Sequence, residues 1–98
     1  MNTQLELAGR IAWLVASNYG YDMRRLTNKS RKQENFQARG IAIYLVRKHT
    51  DLSWHAIGKL FRRDHSTAIA AARRIETMRK DSRSVDRVCK EIEKQIRA

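Results

Sequence analysis

Between Arg62 and Thr67 the chain sets two guanidinium groups, a carboxylate, an imidazole and two hydroxyls side by side, as Arg62-Arg63-Asp64-His65-Ser66-Thr67. Such groups match what base-pair edges offer in a DNA major groove. Asp64 accepts from an exocyclic amine, Ser66 and Thr67 donate or accept, the Thr67 methyl meets a thymine methyl, and Arg63 bonds guanine or a phosphate. The same residues do not form a catalytic set. Asp64, His65 and Ser66 are adjacent in sequence, so on a helix their side chains diverge instead of forming a relay. His49, His55 and His65 also lack the i, i+4 or paired-cysteine spacing that zinc requires. The expectation is a binding surface with no metal, no cofactor and no enzymatic activity.

A reading surface needs a rigid element behind it, and the flanking sequence supplies one. Ser53 is placed to cap a short helix carrying Trp54, Ile57, Leu60 and Phe61, and Gly58 lets another backbone pack close against that helix. A second helix is predicted from Asp64, with Ala68, Ala71, Ala72, Ile75 and Met78 at helical spacing. An isolated Asp-x-Ser-Thr signifies only a helix cap. Following a capped helix and a turn, it predicts a helix-turn-helix over about 53–80, reading from the first turn of its second helix.

The remaining sequence predicts more helices and no strand. Thr3 and Glu6 fit a capping box before a helix running to about Tyr19, with Gly20 as its left-handed cap, and Asp22 fits a cap for a short helix through Met23 and Leu26. Thr27 to Glu34 has no apolar residue and carries Lys29, Arg31 and Lys32, which predicts an exposed basic loop. Ala38, Ile41, Ala42, Leu45 and Val46 form one stripe on a helix from about Asn35 to near His49. Asp81-Ser82-Arg83-Ser84 interrupts the pattern before a last helix with Val85, Val88, Cys89, Ile92 and Ile96 on one face. The sum is an all-α fold of five or six helices in one domain over 1–98.

The first helix differs from the rest. Leu5, Leu7, Ala8, Ile11, Ala12, Trp13, Leu14, Val15 and Ala16 cover well over half its circumference, whereas a helix lying on one core needs a stripe only about 100° wide. Either neighbouring helices wrap it, or a surface around Trp13 pairs with a second copy or another protein.

Charge narrows the partner class. The 98 residues hold 21 Lys and Arg against 10 Asp and Glu, a net charge of +11, which predicts a polyanion and favours nucleic acid over an anionic membrane. From Arg24 to Lys48 the cations meet only Glu34. Lys59, Arg62, Arg63, Arg73, Arg74, Arg79 and Lys80 surround the predicted reading helix, and the chain ends are closer to balance. No apolar run is long enough to span a membrane, no secretory leader is evident, and the single Cys89 allows no internal disulfide, so a cytoplasmic, nucleoid-associated protein is expected. Cys89 itself fits a buried small hydrophobe.

The pattern Ala42-x-Tyr44-Leu45-x-Arg47-x-x-Thr50-x-x-Ser53-x-x-Ile57-Gly58-x-x-Phe61-x-Arg63-Asp64-His65-Ser66-Thr67, followed by Ala71 and Ile75, resembles the C-terminal DNA-binding domain of the bacterial chromosomal replication initiator DnaA. The resemblance implies a Trp-repressor-like arrangement of helices that binds double-stranded DNA at sites like a DnaA box. It implies base and phosphate contacts from Arg63 to Thr67, minor-groove insertion of Arg31, and positions near the phosphate backbone for Lys29 and Arg39. Arg74, one of the cations around the reading helix, is expected at the DNA as well. Trp54 and His55 stand where the family usually has Leu-Pro, and Arg62 stands where it usually has the turn glycine. Gln37-Ala38 replaces an Arg-Pro before Arg39. DnaA also carries an ATPase module with a Gly-rich phosphate loop; this chain has no such loop, so no nucleotide is expected. A dimeric repressor and an adaptor contacting a replication protein through the first helix are the rival expectations.

Overall fold

A computed structural model describes residues 3–28 and 35–97, and the predicted contributions of Lys29, Arg31 and Lys32 lie outside those residues. The described chain forms α1 (Thr3–Asn18), α2 (Met23–Thr27), α3 (Phe36–His49), α4 (Trp54–Leu60), α5 (His65–Asp81) and α6 (Arg83–Arg97), with no strand among the described residues.

Several ends form as their residue types dictate. The Asp22 carboxylate accepts from the Arg24 amide at the start of α2, and the Ser53 hydroxyl accepts from the Ala56 amide at the start of α4. Gly20 adopts a φ of 68° just past α1, in the left-handed region that costs glycine least. Two expected boundaries move. Thr3 is already helical, so the Thr3–Glu6 capping box does not form as drawn. The break before α6 shrinks to Ser82, which alone is extended and whose hydroxyl accepts from the Val85 amide at 3.4 Å. One polar residue that ends one helix and caps the next suffices; Arg83 and Ser84 then continue as helix.

The core gathers one face from each helix. Ile11 and Val15 of α1, Leu26 of α2, Ile41, Leu45 and Val46 of α3, Ile57 of α4, Phe61, Ile75 of α5, and Ile92 of α6 are all buried in one cluster. Large apolar side chains gain about 1.5–3 kcal/mol each from such burial. α3 is central: it packs chiefly on α5 and α1. Where α5 crosses α3, an added Cβ on Gly40 would lie 2.9 Å from an Ile75 carbon. α3, α2 and α6 wrap most of the apolar arc of α1, burying Ala8, Ile11, Ala12, Val15 and Ala16 and half-burying Leu7 and Leu14. Leu5 and Trp13 are the exceptions, 42% and 57% exposed. No helix among the described residues is long and apolar enough to cross a membrane.

The Cys89 side chain is buried on the inner face of α6, and burial pushes its thiol up to about 11. Beside it sits an ionic knot. The Glu93 carboxylate, on a residue only 6% exposed, accepts from Lys48 Nζ at 2.7 Å, His49 Nε2 at 2.8 Å and Arg79 Nη2 at 2.7 Å. Arg79 also donates to Asp86 at 2.8 Å and to the Tyr44 hydroxyl at 3.3 Å. Burial alone would raise the Glu93 carboxyl; these donors instead hold it down to about 2. The knot joins the C-terminal ends of α3 and α5 to α6.

Candidate nucleic-acid interface

The turn between α4 and α5 is built on two backbone features. An added Cβ on Gly58 would fall 2.6 Å from the Arg63 carbonyl oxygen and 3.2 Å from the His65 nitrogen, so only glycine lets the turn pass at this distance. The Arg63 amide donates to the Gly58 carbonyl at 2.8 Å and closes it. To make that turn, Arg62 takes a φ of 55°, the only positive φ outside glycine among the described residues. Left-handed backbone costs a residue bearing a Cβ roughly 1–2 kcal/mol. The expectation that Arg62 occupies a position suited to glycine is met in its conformation, and its exposed side chain adds a cation beside the turn.

Beyond the turn, α5 begins at His65, one residue later than predicted, with Asp64 at its N-cap. Asp64, His65, Ser66 and Thr67 are all exposed. The Asp64 carboxylate accepts from the Ser66 hydroxyl at 2.8 Å, and its second oxygen is 3.2 Å from His65 Nδ1. The Ser66 hydroxyl first, and the His65 ring after it, hold the Asp64 carboxyl below the usual carboxylate range. It is therefore an ionised acceptor at neutral pH, suited to an exocyclic amine. Two turns beyond Thr67, the exposed Arg74 shares a groove between α3 and α5 with Arg63, Thr67 and Phe36.

His55, from α4, is exposed and lies against His65, their ring centroids 4.1 Å apart. This ties the residue that replaces proline to the reading helix. Trp54 is half-buried with the Arg47 guanidinium 4.6 Å above its ring, and Arg47 Nη1 donates to the Leu52 carbonyl at 3.0 Å. The indole is thus clamped from the α3 side, a support that the sequence reading did not name.

Two predicted cations are placed differently from expectation. Arg39 is only 4% exposed, and its Nε donates to the Leu26 carbonyl at 3.0 Å while Nη2 reaches the Arg25 carbonyl at 3.4 Å. Its guanidinium holds the end of α2 against α3 and does not stand at the surface for a phosphate. Burial first, and the Arg63 charge second, push its pKa down. Arg63 is half-buried and donates to the Phe61 and Arg62 carbonyls, so part of its donor capacity serves the turn. Arg25 has a role that spacing does not reveal: it donates to the Asn35 side-chain oxygen at 3.1 Å, joining the two flanks of the basic segment, with its guanidinium carbon 3.7 Å from the centre of the Tyr21 ring. Among the described residues no three His, Cys, Asp or Glu side chains converge to hold a metal ion.

The family profile described as "Bacterial dnaA protein helix-turn-helix" matches residues 9–75, from within α1 through most of α5. The chain is 44% identical over 62 residues to the chromosomal replication initiator protein DnaA of Oleidesulfovibrio alaskensis, covering 63% of this chain and 13% of that protein. It is 39% identical over 80 residues to the DnaA of Pelobacter propionicus, covering 81% and 18%, and 31% identical over 88 residues to that of a Nostoc species, covering 89% and 19%. The chain thus spans less than a fifth of the length of these relatives.

Proposed function

The chain belongs to the bacterial DnaA helix-turn-helix family, and from that footing we propose that it binds double-stranded DNA with preference for sites like a DnaA box. α5 enters the major groove by its N-terminal turn. Asp64, His65, Ser66 and Thr67 read base edges with His55 beside them, and Arg62, Arg63 and Arg74 contribute charge along the backbone. The observation that carries this reading is the exposure of four consecutive polar side chains at the start of a helix held from behind by the Gly58 turn. Lys29 and Arg31 serve the same duplex, with Arg31 in the adjoining minor groove, where a narrow A·T-rich step concentrates negative potential. Occupying such sites, the protein acts in the control of replication initiation or of transcription, in the cytoplasm and on the nucleoid.

Electrophoretic mobility with a preferred and a scrambled duplex tests the assignment. Asp64→Ala or Thr67→Ala costs about 1–3 kcal/mol on the preferred site and nearly spares the scrambled one. Equal losses on both, with helicity intact by circular dichroism, remove α5 as the reading element.

A second reading, favoured by the exposure of Leu5 and Trp13, is that α1 pairs with a second copy while α5 reads DNA. Light scattering on Trp13→Glu separates the outcomes: a dimer that becomes a folded monomer supports pairing, and a wild type already monomeric removes it.

A further inference from the structure

α6 presents a charged face that DNA reading by α5 does not use. Arg83, Arg87, Lys90, Lys94 and Arg97 recur every three or four residues and are all exposed; at 3.6 residues per turn they lie within an arc of about 80° and a length of about 21 Å. Arg83, Arg87 and Lys94 border one shallow depression, which puts their head groups on the same side. Lys90 is paired with Asp86 at 3.1 Å. Arg83, Arg87, Lys94 and Arg97 enter no ion pair among the described residues; Asp86 and Glu93 are engaged by Arg79, and Glu91, which borders the same depression and keeps its charge, accepts from the neutral Gln95 amide, so the stripe carries five cations against one unpaired acid.

We infer that this stripe is a second nucleic-acid surface, which holds the phosphate backbone of another DNA duplex while α5 occupies the first. Its position separates the two duplexes. α6 is fastened by Glu93 to Lys48 and His49 at the C-terminal end of α3, by Asp86 and Glu93 to Arg79 near the C-terminal end of α5, and by the Gln95 carbonyl to Arg10 of α1. Readout sits at the other end of α5, whose 17 residues place the two ends about 25 Å apart. One strand of a duplex carries a phosphate per about 3.4 Å of rise, so the stripe spans roughly six.

A lipid surface fits less well. An interfacial helix binds by sinking its apolar face, but on α6 that face, Val85, Cys89 and Ile92, is fully buried in the protein core. Val88 and Ile96 are half-buried beside that face, and the fully exposed residues of α6 are charged or polar.

The test is a two-duplex capture. A biotinylated duplex with the preferred site is saturated with full-chain protein, and retention of a fluorescent scrambled duplex is measured against salt. The wild type retains the second duplex, with a log–log salt slope of about −3 to −4 for four unpaired cations. The combined variant Arg83→Gln, Arg87→Gln, Lys94→Gln and Arg97→Gln loses retention about tenfold or more and keeps first-site affinity within about twofold. Trp13→Glu retains the second duplex as well as wild type. Equal retention by the glutamine variant overturns the inference. A parallel loss of first-site affinity puts the stripe on the same duplex, and loss in Trp13→Glu alone makes the bridge a protein pair. Either overturns it too, as does a variant that loses only binding to phosphatidylglycerol vesicles. If wild type fails on the first site, the readout assignment falls by itself; the stripe is then tested by binding of the scrambled duplex to wild type and variant alone.

Discussion

At the N-terminal end of α5, an aspartate, a histidine and two hydroxyls point outward and bond mostly to one another. At the C-terminal end an arginine, two carboxylates, a histidine, a lysine and a tyrosine hydroxyl bond across three helices, around a glutamate almost withdrawn from water. The residue types overlap; their partners differ. A charge that has found internal partners of opposite sign holds helices in place, and leaving one of those partners buried alone is expensive. A charge or dipole left on a rigid helix end, facing water, is available to a ligand at little cost in reorganisation. The knot gives α5 its orientation, and the exposed turn uses it.

The contrast predicts that the two ends fail differently. Glu93→Gln strikes the knot and carries the largest effect, a loss of about 3 kcal/mol or more in unfolding free energy by denaturant titration, with the preferred site still distinguished from the scrambled one wherever the protein stays folded. Because the folded carboxyl lies at about 2 and its ordinary value is 4.5, Glu93 contributes fully above about pH 5, and that contribution is lost as pH falls through about 2. Unfolding followed by circular dichroism from pH 6 to 2 should show this acid loss in wild type and a shallower one in the variant. An acid profile unchanged by Glu93→Gln would mean that the knot is decoration.

Gly58→Ala strikes between the two ends. The added methyl meets the Arg63 carbonyl, so the turn must open at a cost of about 1–3 kcal/mol, and discrimination between the two duplexes should fall with it. Stability lost without any loss of discrimination would show that the turn does not set the reading geometry.

Arg62→Gly gives the smallest change and opposite signs in two measurements. Relief of the left-handed backbone stabilises the fold by about 1 kcal/mol, while loss of a cation flattens the log K against log salt slope by about 0.9 if Arg62 meets a phosphate. A raised midpoint with an unchanged salt slope would take Arg62 off the DNA.

What could be read from the sequence was local. Asp22, Ser53 and Gly20 announce helix ends because each satisfies or frees backbone within three residues, and Gly58 announces a close approach because the next helix follows within a turn. The Asp64 to Thr67 cluster is contiguous, so its gathering at one helix end needed no tertiary information. Glu93 was not legible. Its partners lie 14 to 45 residues away, and no spacing distinguishes it from Glu91 two positions earlier. Arg39 misled for the same reason: in a stretch rich in cations only the packing of α3 on α2 decides which one is buried on carbonyl oxygens. The α6 stripe was obscured by counting, since charge along the chain end comes close to balance until the knot removes Asp86 and Glu93 from the sum.

The buried Cys89 thiol turns the last helix into its own reporter. With its ionisation pushed up to about 11 and its sulfur inside the core, it is inert to alkylating reagents while α6 stays docked, since the thiolate is the reactive form. It becomes an ordinary thiol only when the helix leaves. Under rapid reclosing, the labelling rate equals the intrinsic rate multiplied by the fraction of time that α6 is open. The sequence has no second cysteine to confuse that signal, so the growth of a single mass shift measures how much of the time α6 stands open from the body in the unmodified protein.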